Sequence, residues 1–333
     1  MKQSKQYFHQ VSQAASQPSH TEERPHWGVE EAGLREIHRL VLDGEKGTRL
    51  DGTGVRIAII DSAADLRHAS FRKGHTHKTF DFITDNQAGE ISHKEMYHGT
   101  MVAGIIAADG RSDRAKMHGV APGAELYSYR VTRRGRIHHY ALEKSLICAM
   151  ESKVDIINIS LQNFPHNAGL HYLIQEASQM GITIIAQAGN GIHDGTDNIE
   201  YPAAYQETIA VGAHQKGRAE ATHARGQLLE LTAPGDGVYS LAPGDTFGYG
   251  SGSSYASPFV TGLAALIIQA WRLRHGRSPG PLLVRRVLRQ CTHTDSFHRA
   301  YGYGKVMPDR LAVLITTCGA DLPPKAYENR YQF

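Results

Sequence analysis

Five short runs of apolar residues, at 55–60, 126–131, 156–159, 183–186 and 209–212, recur along this chain with few polar interruptions. A strand with one wet face alternates polar and apolar side chains. A strand apolar at nearly every position is covered on both sides, as in a parallel sheet. Segments with apolar residues at helical spacing lie between and after these runs, at 100–108, 140–151, 170–180, 256–274 and 281–290. Strand–helix alternation predicts an α/β fold, with a central, mostly parallel sheet, helices on both faces and right-handed crossovers. At 333 residues the chain can bury a core without disulfide or metal staples. No repeat or linker interrupts the alternation, so a single domain is expected over residues 27–315. Residues 1–26 are polar and read as a flexible N-terminal arm, and 316–333 as a C-terminal tail draped over the surface. Between arm and sheet, Val29, Leu34, Ile37, Leu40 and Val41 have the spacing of a short amphipathic helix.

Charge argues against some functions. Thirty-six basic and 33 acidic residues leave a net +3, too mild a balance to suggest nucleic-acid or membrane partners. The 20 histidines are scattered, and none pairs at metal-binding spacing with a third ligand, so no metal site is expected. His138-His139 reads as a solvated loop or a helix start. The three cysteines, Cys148, Cys291 and Cys318, are odd in number and widely spaced, unlike a disulfide framework. Cys148 and Cys291 fit apolar helical patterns as free thiols. The N-terminus lacks the apolar run of a signal peptide, and no stretch reads as the ~20 apolar residues of a membrane span. The expectation is a cytoplasmic protein.

Three residues stand in positions suited to chemistry. Asp61 directly follows the first apolar run, at the carboxyl end of a buried strand, where open α/β sheets build their sites. A turn or helix-capping aspartate is the plain alternative. His98 is expected to open an apolar helix whose small residues Gly99, Ala103 and Gly104 permit close packing. Imidazole there suits a general base if a carboxylate fixes its tautomer; otherwise it is a capping or surface histidine. Ser254 lies in Gly252-Ser253-Ser254-Tyr255-Ala256-Ser257-Pro258, at the start of the longest apolar helix. Backbone N–H groups and the positive end of the helix dipole would stabilise an oxyanion there. Pro258 is expected in the first turn, and either Ser253 or Ser254 would also serve as an N-cap.

Together, Ile57-Ala58-Ile59-Ile60-Asp61-Ser62, the run 98–104 and the run 252–262 resemble the three signature segments of the subtilase family, in the family's order. Trp27-Gly28-Val29, Asn158-Ile159-Ser160-Leu161, Ala188-Gly189-Asn190, Tyr201-Pro202-Ala203 and Gly302-Tyr303-Gly304 are similar to other family segments, so the likeness covers about 27–312. It implies a serine endopeptidase acting on peptide or protein substrates through an acyl-enzyme, with no required cofactor. It makes Ser254 the nucleophile, His98 the base, Asp61 its orienting partner and Asn190 an oxyanion donor beside the Ser254 N–H. Ser160, Leu161 and Gln162 resemble the strand lining the P1 pocket, with Ala188 and Gly189 beside it. Arg133, Arg134, Gly135 and Arg136 lie where the family has its opposite substrate-binding edge, so a peptide would add as a strand between two edges.

Departures from the family carry expectations of their own. Gln162 stands where the family usually has glycine, so a side chain would narrow or polarise one pocket wall. Glu200 precedes Tyr201-Pro202, where a small residue is common. A buried carboxylate there would favour Lys or Arg at P1, whereas a loop glutamate facing solvent would not. Arg133, Arg134 and Arg136 either attract acidic residues upstream of the cut or form a solvated charge run. Segment 109–118 replaces a loop that often holds calcium. Its Arg111, Arg114 and Lys116 suit Ca²⁺ poorly, although a weaker site elsewhere stays open. The resemblance is to intracellular members without a long pro-domain, and residues 1–26 would mask the cleft or be trimmed. A peptide-binding pseudopeptidase and a transpeptidase or macrocyclase are the competing readings. Oligomeric state is not legible.

Overall fold

The structure, a computed structural model, describes residues 27, 34–38, 49–72, 75, 77–84, 91–110, 117–162, 165–191, 197–219, 224–307 and 309–312. Its elements in chain order are α1 (Leu34–Ile37), β1 (Arg56–Asp61), β2 (Lys78–Asp81), α2 (His93–Ala107), β3 (Glu125–Arg130), β4 (Thr132–Arg133), β5 (Arg136–Ile137), α3 (His139–Glu151) and β6 (Ile156–Ile159). There follow α4 (Ala168–Gln179), β7 (Thr183–Gln187), β8 (Thr208–His214), β9 (Leu231–Pro234), β10 (Val238–Ala242), β11 (Thr246–Gly250), α5 (Ser253–His275) and α6 (Pro281–Gln290). The arm and the tail lie outside the described residues.

Seven strands form one sheet in the order β2-β3-β1-β6-β7-β8-β9. Every adjacent pair is parallel. All five runs read from sequence are strands of this sheet. Alternate residues of β1 enter opposite cores. Ile57 and Ile59 pack with α2 and α5, while Ala58 and Ile60 pack with residues of α3 and α4. Each fully buried isoleucine contributes roughly 1.5–3 kcal/mol relative to exposure, so both faces drive the strand into the centre of the sheet. The edge strands β2 and β9 were not legible as strands: each is four residues long, β2 has two exposed positions, and β9 ends on Pro234.

Three expectations change. Helix α2 begins at His93, not at His98, which lies in its second turn. Pro258 is likewise past the first turn, inside α5. It lacks the N–H that would reach back to the Ser254 carbonyl, four residues earlier. Helix α5, at 23 residues, is long and apolar enough to cross a membrane, contrary to the sequence reading. Every residue from Ser253 to Ala270 is nevertheless buried inside the protein, as expected of a core helix apolar all round.

Candidate active site

Chain direction in a parallel sheet brings the carboxyl ends of all its strands to one rim. Here β1 ends on Asp61, β6 runs into Ser160, and β7 ends on Gln187, three residues before Asn190. Strand β1 sits between β3 and β6, where the chain changes its direction of travel across the sheet.

Asp61 is fully buried. Its Oδ1 accepts the Ser62 N–H at 2.6 Å and lies 2.7 Å from His98 Nδ1. Among the described residues, Oδ2 is buried without a hydrogen-bond partner. Gly99 allows this approach. A Cβ there would stand 2.5 Å from the Ser62 carbonyl oxygen and 2.7 Å from that of Ala63, so only glycine lets α2 lie against the β1 loop. The Gly99 N–H donates to Ser62 Oγ at 2.8 Å, fixing that contact. Bonding Nδ1–H to the carboxylate leaves His98 Nε2 as the acceptor. Burial disfavours the imidazolium, but the charge of Asp61 and its hydrogen bond outweigh burial and raise the His98 pKa above 6.5.

Ser254 is the second residue of α5 and 6% exposed. Neither it nor Ser253 is the N-cap. That position belongs to Gly252, whose φ of 143° disfavours any residue with a Cβ. Tyr255, next to Ser254, sets its ring 5.2 Å from that of His98, bringing the helix start to the imidazole. Burial, first of all, pushes the Tyr255 phenol above its usual pKa, so it stays neutral. Among the described residues neither the Ser254 hydroxyl nor its N–H has a hydrogen-bond partner. The Ser254–His98 hydrogen bond is therefore not formed in this structure. Apo sites often show such bonds long or unmade.

Asn190 is fixed from both ends. Its Oδ1 accepts from the Ser253 N–H at 2.8 Å and lies 3.0 Å from Ser253 Oγ. Its Nδ2 donates to Gln187 Oε1 at 3.1 Å and Gln162 Oε1 at 2.9 Å. Gln187 is buried and also accepts from Ser253 Oγ at 2.9 Å. Sequence reasoning missed Gln187 and Ser253 as supports. The available signal was a polar residue closing an otherwise apolar strand.

The remaining residues singled out from sequence fall around this rim. The Ser160 side chain is buried in a network with Asn158 and Ser257, and Asn158 also accepts from Thr261. This leaves only the Ser160 backbone to face a substrate, with partly exposed Leu161 and Gln162 beyond it. Buried Ala188 accepts the Glu200 N–H at 3.0 Å. Glu200 is half-buried: a Cβ placed on Gly189 would lie 3.3 Å from Glu200 Oε1. The expected edge at Arg133, Arg134, Gly135 and Arg136 is exposed but folds back on itself. Strands β4 and β5 pair antiparallel around Arg134-Gly135. Asp109 faces Arg72, and residues 111–116 lie outside the described residues.

Residues 52–304 match the Subtilase family. The chain belongs to the subtilase family. It is 34% identical to subtilisin from Bacillus pumilus over 71% of this chain and 83% of that protein. It is 35% identical to subtilisin E from Bacillus subtilis (strain 168), over 71% of this chain and 60% of the relative, and so spans about 60% of that relative's length. A solved structure described as a lanthipeptide protease superposes with a TM-score of 0.66 at 23% identity, covering 78% of this chain and 87% of the other. That likeness places this subtilase in the fold.

Proposed function

We propose that this subtilase is a serine endopeptidase in which Ser254, His98 and Asp61 form the catalytic triad. The observation that carries the reading is the 2.7 Å contact between His98 Nδ1 and buried Asp61, made at the carboxyl rim of the sheet beside the first turn of α5. Ser254 Oγ attacks the scissile carbonyl carbon while His98 Nε2 takes its proton. The new anionic oxygen receives hydrogen bonds from the Ser254 N–H and Asn190 Nδ2, near the positive end of the α5 dipole. The proton on Nε2 passes to the amine as the C–N bond breaks. Water then repeats the sequence to release the acyl group. A fluorophosphonate probe tests this directly: the adduct maps to Ser254 and is lost in Ser254→Ala, whereas wild-type protein that resists labelling contradicts it.

The reading includes a preference for Lys or Arg at P1. It is supported by the half-buried Glu200 side chain lying against Gly189. In a panel of peptides differing only at P1, cleavage after Leu or Phe as fast as after Arg would reject it. The absence of a required cofactor and a cytoplasmic setting are part of the same proposal. Cys148 and Cys291, neither of them in a disulfide, support the setting.

A further inference from the structure

The Asn190 amide has two hydrogens on Nδ2, and both are engaged. One goes to Gln187, which is 3% exposed and held in place by Ser253 Oγ. The other goes to Gln162, which is partly exposed and sits at the open end of β6. The two acceptors differ in kind. Gln187 is the last residue of a buried strand, whereas Gln162 follows β6 in a segment whose backbone makes no hydrogen bond among the described residues. An amide oxygen 2.9 Å from Nδ2 has the polarity and distance of a substrate oxygen receiving that donor.

We infer that Gln162 is a displaceable cover on the Asn190 donor, its Oε1 occupying the place an anionic substrate oxygen takes during acylation. The inference rests on the proposed role of Asn190 and deepens it. With Gln187 holding one hydrogen and Ser253 holding Oδ1, Asn190 keeps its orientation when Gln162 leaves. Acylation then exchanges a neutral acceptor for a charged one. The charged acceptor takes the stronger hydrogen bond, so the exchange proceeds as charge develops. The exchange still consumes the Gln162–Asn190 hydrogen bond. The enzyme is slower than its donor geometry allows, and the deficit lies in kcat because the ground state leaves the cover in place.

The test measures acylation by a peptidyl anilide in five proteins: wild type, Gln162→Ala, Gln162→Glu, Asn190→Ala and Gln162→Ala/Asn190→Ala. Losing a neutral hydrogen bond that must be broken raises kcat in Gln162→Ala by about 2- to 10-fold with KM little changed. Gln162→Glu, whose carboxylate binds the donor more strongly, lowers kcat. In the Asn190→Ala background, Gln162→Ala has no effect, because the contact is already gone. An unchanged or reduced kcat in Gln162→Ala overturns the proposal, as does a gain that persists without Asn190. Fluorophosphonate labelling separates the two levels. Variants that label at Ser254 but show no coupling between Gln162 and Asn190 reject the cover alone. A wild-type chain that does not label rejects the peptidase reading and the cover with it.

Discussion

Asp61 and Arg130 stand opposite one another in the β1–β3 ladder. Buried Arg130 donates to Asp81 at 2.8 Å and lies 3.2 Å from Glu95 in the first turn of α2, and Glu95 in turn accepts the Arg134 N–H at 3.2 Å. One guanidinium thus joins the strand beside Asp61, the helix carrying His98 and the turn between β4 and β5. Arg130→Met removes the guanidinium from Asp81 and Glu95, which keep their other donors at Ile83, Thr84 and Arg134, and is expected to lower unfolding stability by about 1.5–3 kcal/mol. Glu95→Gln keeps an acceptor for Arg134 and is expected to cost about 1 kcal/mol. Urea unfolding in a Ser254→Ala background, which prevents self-digestion, measures both.

The elevated His98 pKa sets opposite pH dependences for activity and stability. Activity needs the neutral imidazole, so kcat/KM rises with pH through a midpoint above 6.5. Asp61→Asn removes the group that holds that pKa up, so the midpoint falls, and kcat falls by about 10⁴-fold as the tautomer is lost. Stability runs the other way. A pKa raised in the folded state gives stabilisation that is complete below the unfolded value of ~6.5 and is lost as pH rises through the folded value. In the Ser254→Ala background, His98→Ala should therefore be more destabilising at about pH 5.5 than at about pH 8.5.

Asn190→Ala removes an oxyanion donor and is expected to lower kcat by ~10²–10³ with KM nearly unchanged. Gln187→Ala leaves that donor present but frees it to turn. Its expected effect is a smaller fall, about 10-fold, confined to kcat. A rise in KM with kcat unchanged would instead mean that Gln187 shapes the substrate groove.

What the sequence makes legible follows from where each signal lies. Strand β1 announces itself because both its faces are buried, and a doubly covered strand has nowhere to put a polar residue. The edge strands gave no such signal, being short and partly exposed. The start of α2 was misplaced because 93–97, His-Lys-Glu-Met-Tyr, is polar enough to pass for loop, and the apolar register becomes clear only from Gly99. Locally, Asp61, His98 and Ser254 are each open to a plain turn or capping role; their joint role, and Asn190 altogether, come from the resemblance to the subtilase family. The engagement of Asn190 by Gln162 was not foreseen, since residues 28 apart touch only once the sheet has aligned the ends of β6 and β7.

Arg72 is expected to take the stabilising place of a bound cation. Its guanidinium donates to buried Asp51 at 2.7 Å and lies 3.5 Å from Asp109. Burial alone would raise the Asp51 pKa, but bonds from Thr53 and Arg72 outweigh it and hold the carboxyl below its usual range. Arg72→Ala should lower stability by about 3 kcal/mol, whereas a calcium chelator should leave the wild-type melting temperature unchanged. A large drop on chelation would place a required calcium site elsewhere.

A peptide-library cleavage profile of the wild type beside Ser254→Ala reaches the core of this account. Cleavage at internal bonds, concentrated after Lys or Arg and reduced about 10⁶-fold by Ser254→Ala, is the predicted result. Cleavage that survives the substitution at the wild-type rate, or a wild-type chain that binds the peptides and leaves them whole, would contradict it.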